Sequence, residues 1–252
     1  EVRTSAIFEP YSDDPENRGN TIFSGEVLTD FILELHEEKI DLHLHTNSDR
    51  SAHIALNAVE KARNIIGKPL DTRVSTCHLE LIHENDISRF RELDVPANFT
   101  LHWNGIGYLT GWEKPIGPER AARRFSIQAL IDDGATVSYS SDTTGMTRLY
   151  RTSPFFSMQI GHNRQEVGAA PDSEVLSPTS ERLSLKDIIH GYTKGGAYQL
   201  RYEDNLGSIE IGKIADLVVL DQDIFEVNRY DIHKTTPSAV VIAGEVIQGK
   251  LP

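Results

Sequence analysis

One pattern recurs along the chain. A short apolar stretch ends in a histidine or an aspartate, which are residues that can bind metal, and the clearest case is followed by residues typical of a helix start. The clearest instance is Asp41–Asp49, which alternates as a strand does and carries His43 and His45. Two later apolar stretches end similarly, at His78 and at Asp142. Strands that alternate with helices in units of about 30 residues form parallel sheets. The pattern therefore predicts an α/β chain whose strand ends meet at one edge.

Hydrophobic periodicity and turn signals place the individual elements. Strands are predicted at Val2–Phe8, Ile40–His45, Thr72–His78, Val95–Leu101 and Ala135–Ser141. Helices are predicted at Ser24–His36, from a cap at Asp49 or Ser51 to Gly67, at Glu84–Leu93, at Ala121–Asp133 with Gly134 as the C-cap, and at Ser184–Leu200. Two long irregular segments, Trp103–Arg120 and Thr143–Glu181, interrupt this series, the second with a short helix at Phe155–Ile160. Loops of such length in a compact domain are usually functional or mobile.

The C-terminal region changes to a β pattern. Gly207–Asp221 reads as a short strand, a turn and an apolar strand, and Ala239–Gln248 as a hairpin that turns at Ala243 and Gly244. We therefore divide the chain into residues 1–205, part of a barrel, and 206–252, part of a β-sandwich. A closed eight-stranded barrel takes about 250 residues by itself. The strands present fill little more than half of one.

The composition limits the kinds of partner that the chain is expected to bind. The formal net charge of -13 leaves no basic face for nucleic acid, and no apolar run reaches the length of a membrane span. The single cysteine, Cys77, excludes an intrachain disulfide framework and fits a small buried filler. Because the first residue is Glu1 rather than Met, we expect a chain that is trimmed, processed or incomplete at its start. We also expect either a homo-oligomer or a missing N-terminal half. We expect a cytoplasmic location and a small-molecule substrate.

Three strand-end residues could carry chemistry: His45, His78 and Asp142. Neutral imidazole and carboxylate are ligands that suit a hydrolytic zinc or similar ion. Such an ion lowers the pKa of bound water toward ~7, and a nearby carboxylate can move the released proton. A strand-end histidine is also a common hydrogen-bonded structural residue, so the residues alone leave both interpretations open.

The sequence around these residues resembles the amidohydrolase superfamily, and more narrowly its amidohydrolase 3 branch, which includes proteins like N-substituted formamide deformylase. His45–Asp49 is similar to the branch's His-Ala-x-Gly-Asp motif. The other matching segments are Glu9–Gly19, Arg73–Leu81, Tyr139–Asp142, Leu183–Thr193 and Gly207–Asp221. The resemblance covers nearly the whole chain and implies the C-terminal half of a TIM-type (β/α)8 metal-dependent hydrolase barrel plus a small β-sandwich segment.

The resemblance also implies residue roles. His45 and His78 correspond to metal ligands, and Asp142 to a ligand or to the proton-shuttling catalytic base. The implied cofactor is a divalent metal, zinc by expectation, as one or two ions. The implied reaction is hydrolysis of an amide-like C–N bond other than a peptide bond.

Four further residues have supporting roles in this interpretation. His43 is expected to be structural or to support a ligand, and Asp49 to support a ligand or cap the helix. Trp103 either shapes the pocket or packs a loop. Arg120 contacts substrate, positions a loop or is a solvated surface residue.

Several differences from the family's sequence motifs favour a second hypothesis, in which this chain alone is not a complete enzyme. The family's first-strand His-x-His and its strand-four lysine would precede Glu1, and Ser48 replaces a usual glycine. Thr143 and Thr144 follow Asp142 in place of the usual Trp-Pro. The chain could therefore be a non-catalytic fragment or scaffold, or one half of a split barrel that needs a partner chain.

Overall fold

The computed structural model describes residues 3–105, 107, 111, 113–143 and 145–251. In these residues a four-stranded sheet contains, in spatial order, β1 (Leu42–Thr46), β2 (Val74–His78), β3 (Ala97–Thr100) and β4 (Val137–Ser140). The pairs β1–β2 and β2–β3 are parallel. A three-stranded antiparallel sheet consists of β5 (Leu217–Leu220), β6 (Pro237–Ile242) and β7 (Glu245–Gly249). The predicted α/β class with a parallel sheet is confirmed.

Helices follow or separate the strands of the parallel sheet. They are α1 (Gly25–Glu38), α2 (Asp49–Ile66), α3 (Ile87–Glu92), α4 (Glu113–Ile116), α5 (Pro118–Ala121), α6 (Ile127–Asp133), α7 (Pro154–Asn163), α8 (Leu185–His190) and α9 (Gly196–Gln199). A π-helical segment, Gly191–Gly195, joins α8 to α9. Short 3-10 turns lie at Glu84–Asp86, Leu101–Asn104, Met146–Thr152, Thr179–Glu181 and Ile232–Lys234. No helix in the described part of the chain combines the length and the apolar character that a bilayer crossing requires.

Residue contacts divide the chain into two compact units. The first unit contains Glu1–Phe99, Leu109–Val137 and Ser177–Glu181. The second contains Thr100–Tyr108, Ser138–Leu176 and Arg182–Pro252. The division at residue 206 that the sequence suggested stays a prediction.

In the first unit, α1 packs against α2, and α2 also contacts β1 and β2. Ser24 caps α1 by accepting a hydrogen bond from the Val27 amide, and the helix buries Leu28 and Ile32. The α2 cap is Ser48 rather than Asp49 or Ser51, since the Ser48 amide donates to the Ser51 hydroxyl at 3.2 Å.

The strand β2 lies in the centre of the first unit's core. All five of its residues are buried, as is typical of strands inside a parallel sheet. Cys77 is a free, buried cysteine, as predicted. Its neighbour in β1 is His45, and His78 is aligned with Thr46.

In the second unit, β6 and β7 form the predicted hairpin. Ala243 and Gly244 have φ of 50° and 85°, the left-handed pair that a tight two-residue turn requires. The Gly244 amide donates to the Ala215 carbonyl at 3.0 Å, which fixes the turn next to β5.

Three predicted elements are wrong. Residues 3–8 form turns rather than a strand, and Val2 lies outside the described residues. The segment 207–211 contains no strand. The helix predicted at Ala121–Asp133 is α6 alone, because Phe125 has φ of 55° and its amide donates to the Glu80 carbonyl at 3.0 Å.

Candidate functional site

The alternation of β1 sets the direction of its two histidines. Residues two apart in a strand share a face, so His43 and His45 lie on one face while Leu42 and Leu44 lie on the other. The two histidines are exposed and the two leucines are half-buried. The first unit therefore presents a polar, imidazole-bearing face at the end of an apolar strand.

His43 is held by the neighbouring strand. Its Nδ1 lies 2.7 Å from the Ser75 hydroxyl of β2. The pKa of His43 lies below its usual range because the ring is partly removed from water and because His45 contributes positive charge nearby. The supporting role expected for His43 stays a prediction.

His45 and His78 lie together at the carboxyl ends of β1 and β2. Their ring centroids are 4.6 Å apart, with the rings inclined at 68°. His45 is exposed and His78 is buried, so the two adjacent rings extend from the surface of the unit into its interior. The structure thus brings together two of the three residues that the sequence singled out.

The backbone at the end of β2 is left-handed at two successive non-glycine residues. His78 has φ of 74° and Leu79 has φ of 49°. Hydrogen bonds from the amides of Leu79 and Leu81 to the carbonyls of Thr46 and Asn47, at 2.9 Å and 3.3 Å, hold this turn in place. Such backbone strain persists only where the surroundings impose it, and it is typical of functional positions.

Asp142 and Trp103 belong to the second unit. Asp142 follows β4, is exposed, and also has positive φ, at 42°. Trp103 lies in the 3-10 turn Leu101–Asn104, buried, with its ring perpendicular to that of His102 at 6.4 Å. The burial of both rings favours loop packing for Trp103.

The side chains at the strand ends match the implied metal in part. The two imidazoles of His45 and His78 form a close pair of the donor type that zinc prefers. Among the described residues, no group of three or more His, Cys, Asp or Glu side chains is placed to hold an ion. The residues therefore fit as two ligands of an incomplete set.

A cavity of about 450 Å³ opens in the first unit, and Asp49 and Arg120 both line it. Its walls come from the loop before α1, the start of α2, His83, and the segment from Ile116 to Arg123. A volume of this size suits a small organic ligand. Asp49 and Arg120, predicted from separate parts of the sequence, thus belong to one pocket.

Arg120 stabilises the cavity wall through hydrogen bonds. It is 9% exposed, and its guanidinium donates to the carbonyls of Ile116, Glu9 and Pro10 at 2.5, 2.6 and 2.8 Å and to the Ser12 hydroxyl at 3.1 Å. The interpretation as a solvated surface arginine is wrong. The four donor contacts of Arg120 join the loop before α1 to the segment that contains α4 and α5, and the substrate and loop-positioning roles both stay predictions.

Asp49 forms part of the cavity floor and joins the loop before α1 to the start of α2. Its Oδ1 accepts hydrogen bonds from the amides of Phe8 at 3.2 Å and Arg50 at 2.8 Å. Burial raises the pKa of Asp49, while these two amides, His83 and Arg120 oppose the rise. Asp49 is the first residue of α2 rather than its cap, and its carboxylate fixes the Phe8 amide at the edge of the pocket.

Two cavity residues were absent from the predicted set. Phe8 contacts the His83 ring edge-on at a centroid distance of 5.6 Å, and His83 accepts a hydrogen bond at Nδ1 from the Asn85 amide at 3.2 Å. The signal that could have found Phe8 is its place directly before the family-like segment Glu9–Gly19. His83 follows the β2 turn by only a few residues, as polar residues of strand-end loops do.

The parallel sheet with histidines at its strand ends defines the class of α/β proteins whose sites lie at the carboxyl edge of the sheet. The profile of the Amidohydrolase family, Amidohydro_3, matches residues 1–248. The chain therefore belongs to the Amidohydrolase family.

Relatives and solved structures agree with this membership. The chain is 24% identical over 251 residues to "Putative amidohydrolase YtcJ" of Bacillus subtilis (strain 168), covering 98% of this chain and 45% of that protein. It is 26% identical over 212 residues to N-substituted formamide deformylase of Arthrobacter pascens, covering 81% and 36%. An uncharacterized metal-dependent hydrolase from Pyrococcus horikoshii OT3 shares the fold, with a TM-score of 0.73 and 23% identity over 90% of this chain and 43% of that one. The chain thus spans less than half the length of these relatives.

Proposed function

We propose that this chain contributes to a metal-dependent amidohydrolase that hydrolyses an amide-like C–N bond other than a peptide bond. The observation that carries the proposal is the pairing of the His45 and His78 rings, 4.6 Å between centroids, at adjacent strand ends. Family membership and the name of the formamide deformylase relative support the reaction class.

In this proposal His45 and His78 hold a divalent ion, with zinc as the expected metal. A bound ion of this kind supplies Lewis-acid activation of water at neutral pH. The proposed task of Asp142 is to accept a proton from the attacking water at a carboxylate oxygen and to return it to the leaving nitrogen. Asp142 is exposed at the end of β4, so its carboxylate is open to exchange protons with water.

The test compares metal content and turnover in the wild-type protein and in the His78→Asn and His45→Asn variants. Asparagine is chosen at position 78 because it tolerates the φ of 74° that His78 adopts, whereas alanine would add backbone strain. We expect metal measured by elemental analysis to fall in both variants, and hydrolysis of N-substituted formamides to be lost with it. Full metal occupancy in His78→Asn would overturn the ligand assignment.

The second candidate is that this chain is one component of a barrel completed by a further segment or by another chain. It is favoured by exposed apolar side chains in the first unit: Val27 and Phe31 on α1 are 52% and 43% exposed, and Ile40 before β1 is 54% exposed. Apolar surface of this kind marks interaction sites or aggregation. Light scattering combined with elemental analysis distinguishes the candidates, since a metal-free monodisperse monomer favours a scaffold and a metal-loaded hetero-complex favours a split enzyme.

A further inference from the structure

Asp49 lines the cavity with a carboxylate of which the fold hydrogen-bonds only one oxygen. Asp49 is 7% exposed, and both of its hydrogen bonds, from the Phe8 and Arg50 amides, end on Oδ1. Within the described residues, Oδ2 accepts no hydrogen bond. Because Asp49 lines the cavity, Oδ2 can accept a hydrogen bond from a bound ligand, and a bond to a carboxylate oxygen is strongest when the donor is charged.

The arginine nearest the floor does not supply that donor. Arg120 directs its guanidinium to the carbonyls of Ile116, Glu9 and Pro10 and to the Ser12 hydroxyl. A guanidinium committed to four acceptors in the wall is also poorly placed to bind an anionic ligand. The floor of the cavity therefore presents acceptor capacity rather than donor capacity.

The other residues that line the cavity indicate the chemistry of the rest of the ligand. The Phe8 ring, Ile116 and Pro118 supply apolar surface, while the carboxylates of Glu9 and Glu119 are at the exposed rim. Arg123 is the exposed cation of the lining. A chain with a formal net charge of -13 also favours cationic ligands over anionic ones.

The cavity walls are fixed before any ligand arrives. The Ser12 amide donates to the Pro115 carbonyl at 2.6 Å, and the Ser48 hydroxyl donates to the Ala6 carbonyl at 3.0 Å. Gly117 has φ of 79°, and a Cβ there would lie 2.5 Å from the Ser12 hydroxyl. Such a preorganised pocket loses little ordering entropy on binding.

We propose that this cavity binds a small organic ammonium, with the nitrogen donating to Asp49 Oδ2 and the apolar body of the ligand packed against Phe8 and Ile116. The binding requires neither metal nor turnover, so it stands apart from the proposed hydrolysis. Its failure and the failure of the metal site are distinguishable because each has its own readout.

The test is isothermal titration of the full 252-residue chain with benzylammonium, and with benzyl alcohol and benzoate as probes of similar size. We expect benzylammonium to bind at least about tenfold more tightly than benzyl alcohol, the value of one charge-assisted hydrogen bond, and benzoate to bind more weakly still. Equal binding of all three probes, or a preference for benzoate, would overturn the proposal.

Two variants locate the contact. Asp49→Asn keeps an oxygen for the Phe8 and Arg50 amides and replaces Oδ2 by a donor, so the preference for benzylammonium should disappear. Glu119→Gln removes charge from the rim and should leave that preference within about twofold. Loss in Glu119→Gln with retention in Asp49→Asn would show surface attraction and contradict the proposed contact.

A measurement on the wild-type chain covers the case in which Asp49→Asn does not fold. Isotope labelling of isoleucine methyl groups, with the Ile116 signal identified through Ile116→Val, reports directly on the cavity wall. We expect the Ile116 methyl signal to shift on titration with benzylammonium and to saturate with the calorimetric affinity. An unmoved Ile116 signal at saturating probe would refute binding in this cavity.

Discussion

Replacing Arg120 by methionine tests whether this arginine holds the fold or contacts substrate. Methionine keeps much of the apolar stem while removing every donor. One fully buried carbonyl, that of Ile116, then loses its partner, as do the partly buried carbonyls of Glu9 and Pro10. The variant therefore removes the side-chain hydrogen bonds between the loop before α1 and the α4–α5 segment and leaves the Ser12 amide to Pro115 carbonyl bond.

The size of the effect follows from these contacts. An unsatisfied buried acceptor costs about 1–3 kcal/mol, and each partly buried one roughly half of that because water replaces the donor. The free energy of unfolding of Arg120→Met should fall by about 4 kcal/mol. With a denaturant slope of about 2–3 kcal/mol/M, the urea midpoint moves down by roughly 1.5 M.

The matched control is Arg123→Met, in the same segment. Arg123 is exposed, so its replacement should change the free energy of unfolding by no more than about 0.5 kcal/mol. Urea denaturation followed by far-ultraviolet circular dichroism measures both variants against wild type. If Arg120→Met and Arg123→Met unfold at the same urea concentration, the positioning role is refuted, and lost turnover at unchanged stability would instead indicate a substrate contact.

Three further predictions concern stability. Gly117→Ala should lower the thermal midpoint more than Gly67→Ala, because both have positive φ but only Gly117 would place a Cβ against Ser12; equal midpoints would contradict the close approach. Burial lowers the pKa of His162 below its unfolded value of 6.5, so stability should be lost as pH falls below about 6.5, and His162→Gln should flatten that slope in urea titrations. Burial raises the pKa of Tyr192 from 10.0 to about 12, so stability should be lost as pH rises through this range and be retained longer in Tyr192→Phe.

The sequence predicted those features that depend on local pattern. The hairpin at Ala243 and Gly244 was found because its turn chemistry and its flanking apolar runs lie within one short segment. The placement of His45 and His78 at adjacent strand ends was found because parallel strands deliver their carboxyl ends to one edge of a sheet. Both conclusions need only neighbouring residues and a known periodicity.

The features that escaped prediction depend on contacts between distant segments. The segment 207–211 alternates like a strand, yet the Lys213 ammonium donates to the Glu203 and Leu206 carbonyls at 2.6 and 3.3 Å, which folds the segment into turns. Ile209 and Ile211 are consequently exposed, at 89% and 109%. A strand needs a neighbour for its backbone groups, and periodicity alone does not reveal whether one is present.

The candidate site also combines features that the local sequence predicts with contacts that it does not predict. Asp49 was identifiable as a helix-start residue, but its proximity to the Phe8 amide depends on a loop 41 positions away in sequence. Arg120 contacts carbonyls more than a hundred positions distant, at Glu9 and Pro10. No spacing rule predicts such contacts, because they follow from how the loops close over one another in three dimensions.

The left-handed backbone at His78 sets a trade-off between stability and activity. A non-glycine residue with positive φ costs about 1–2 kcal/mol that glycine would not, so His78→Gly should relieve strain while removing an imidazole. Variants selected for stability alone would therefore be drawn toward glycine at this position and away from the proposed chemistry. If every substitution at position 78 were measured, a screen for thermal resistance would favour glycine. A screen for metal content would favour histidine.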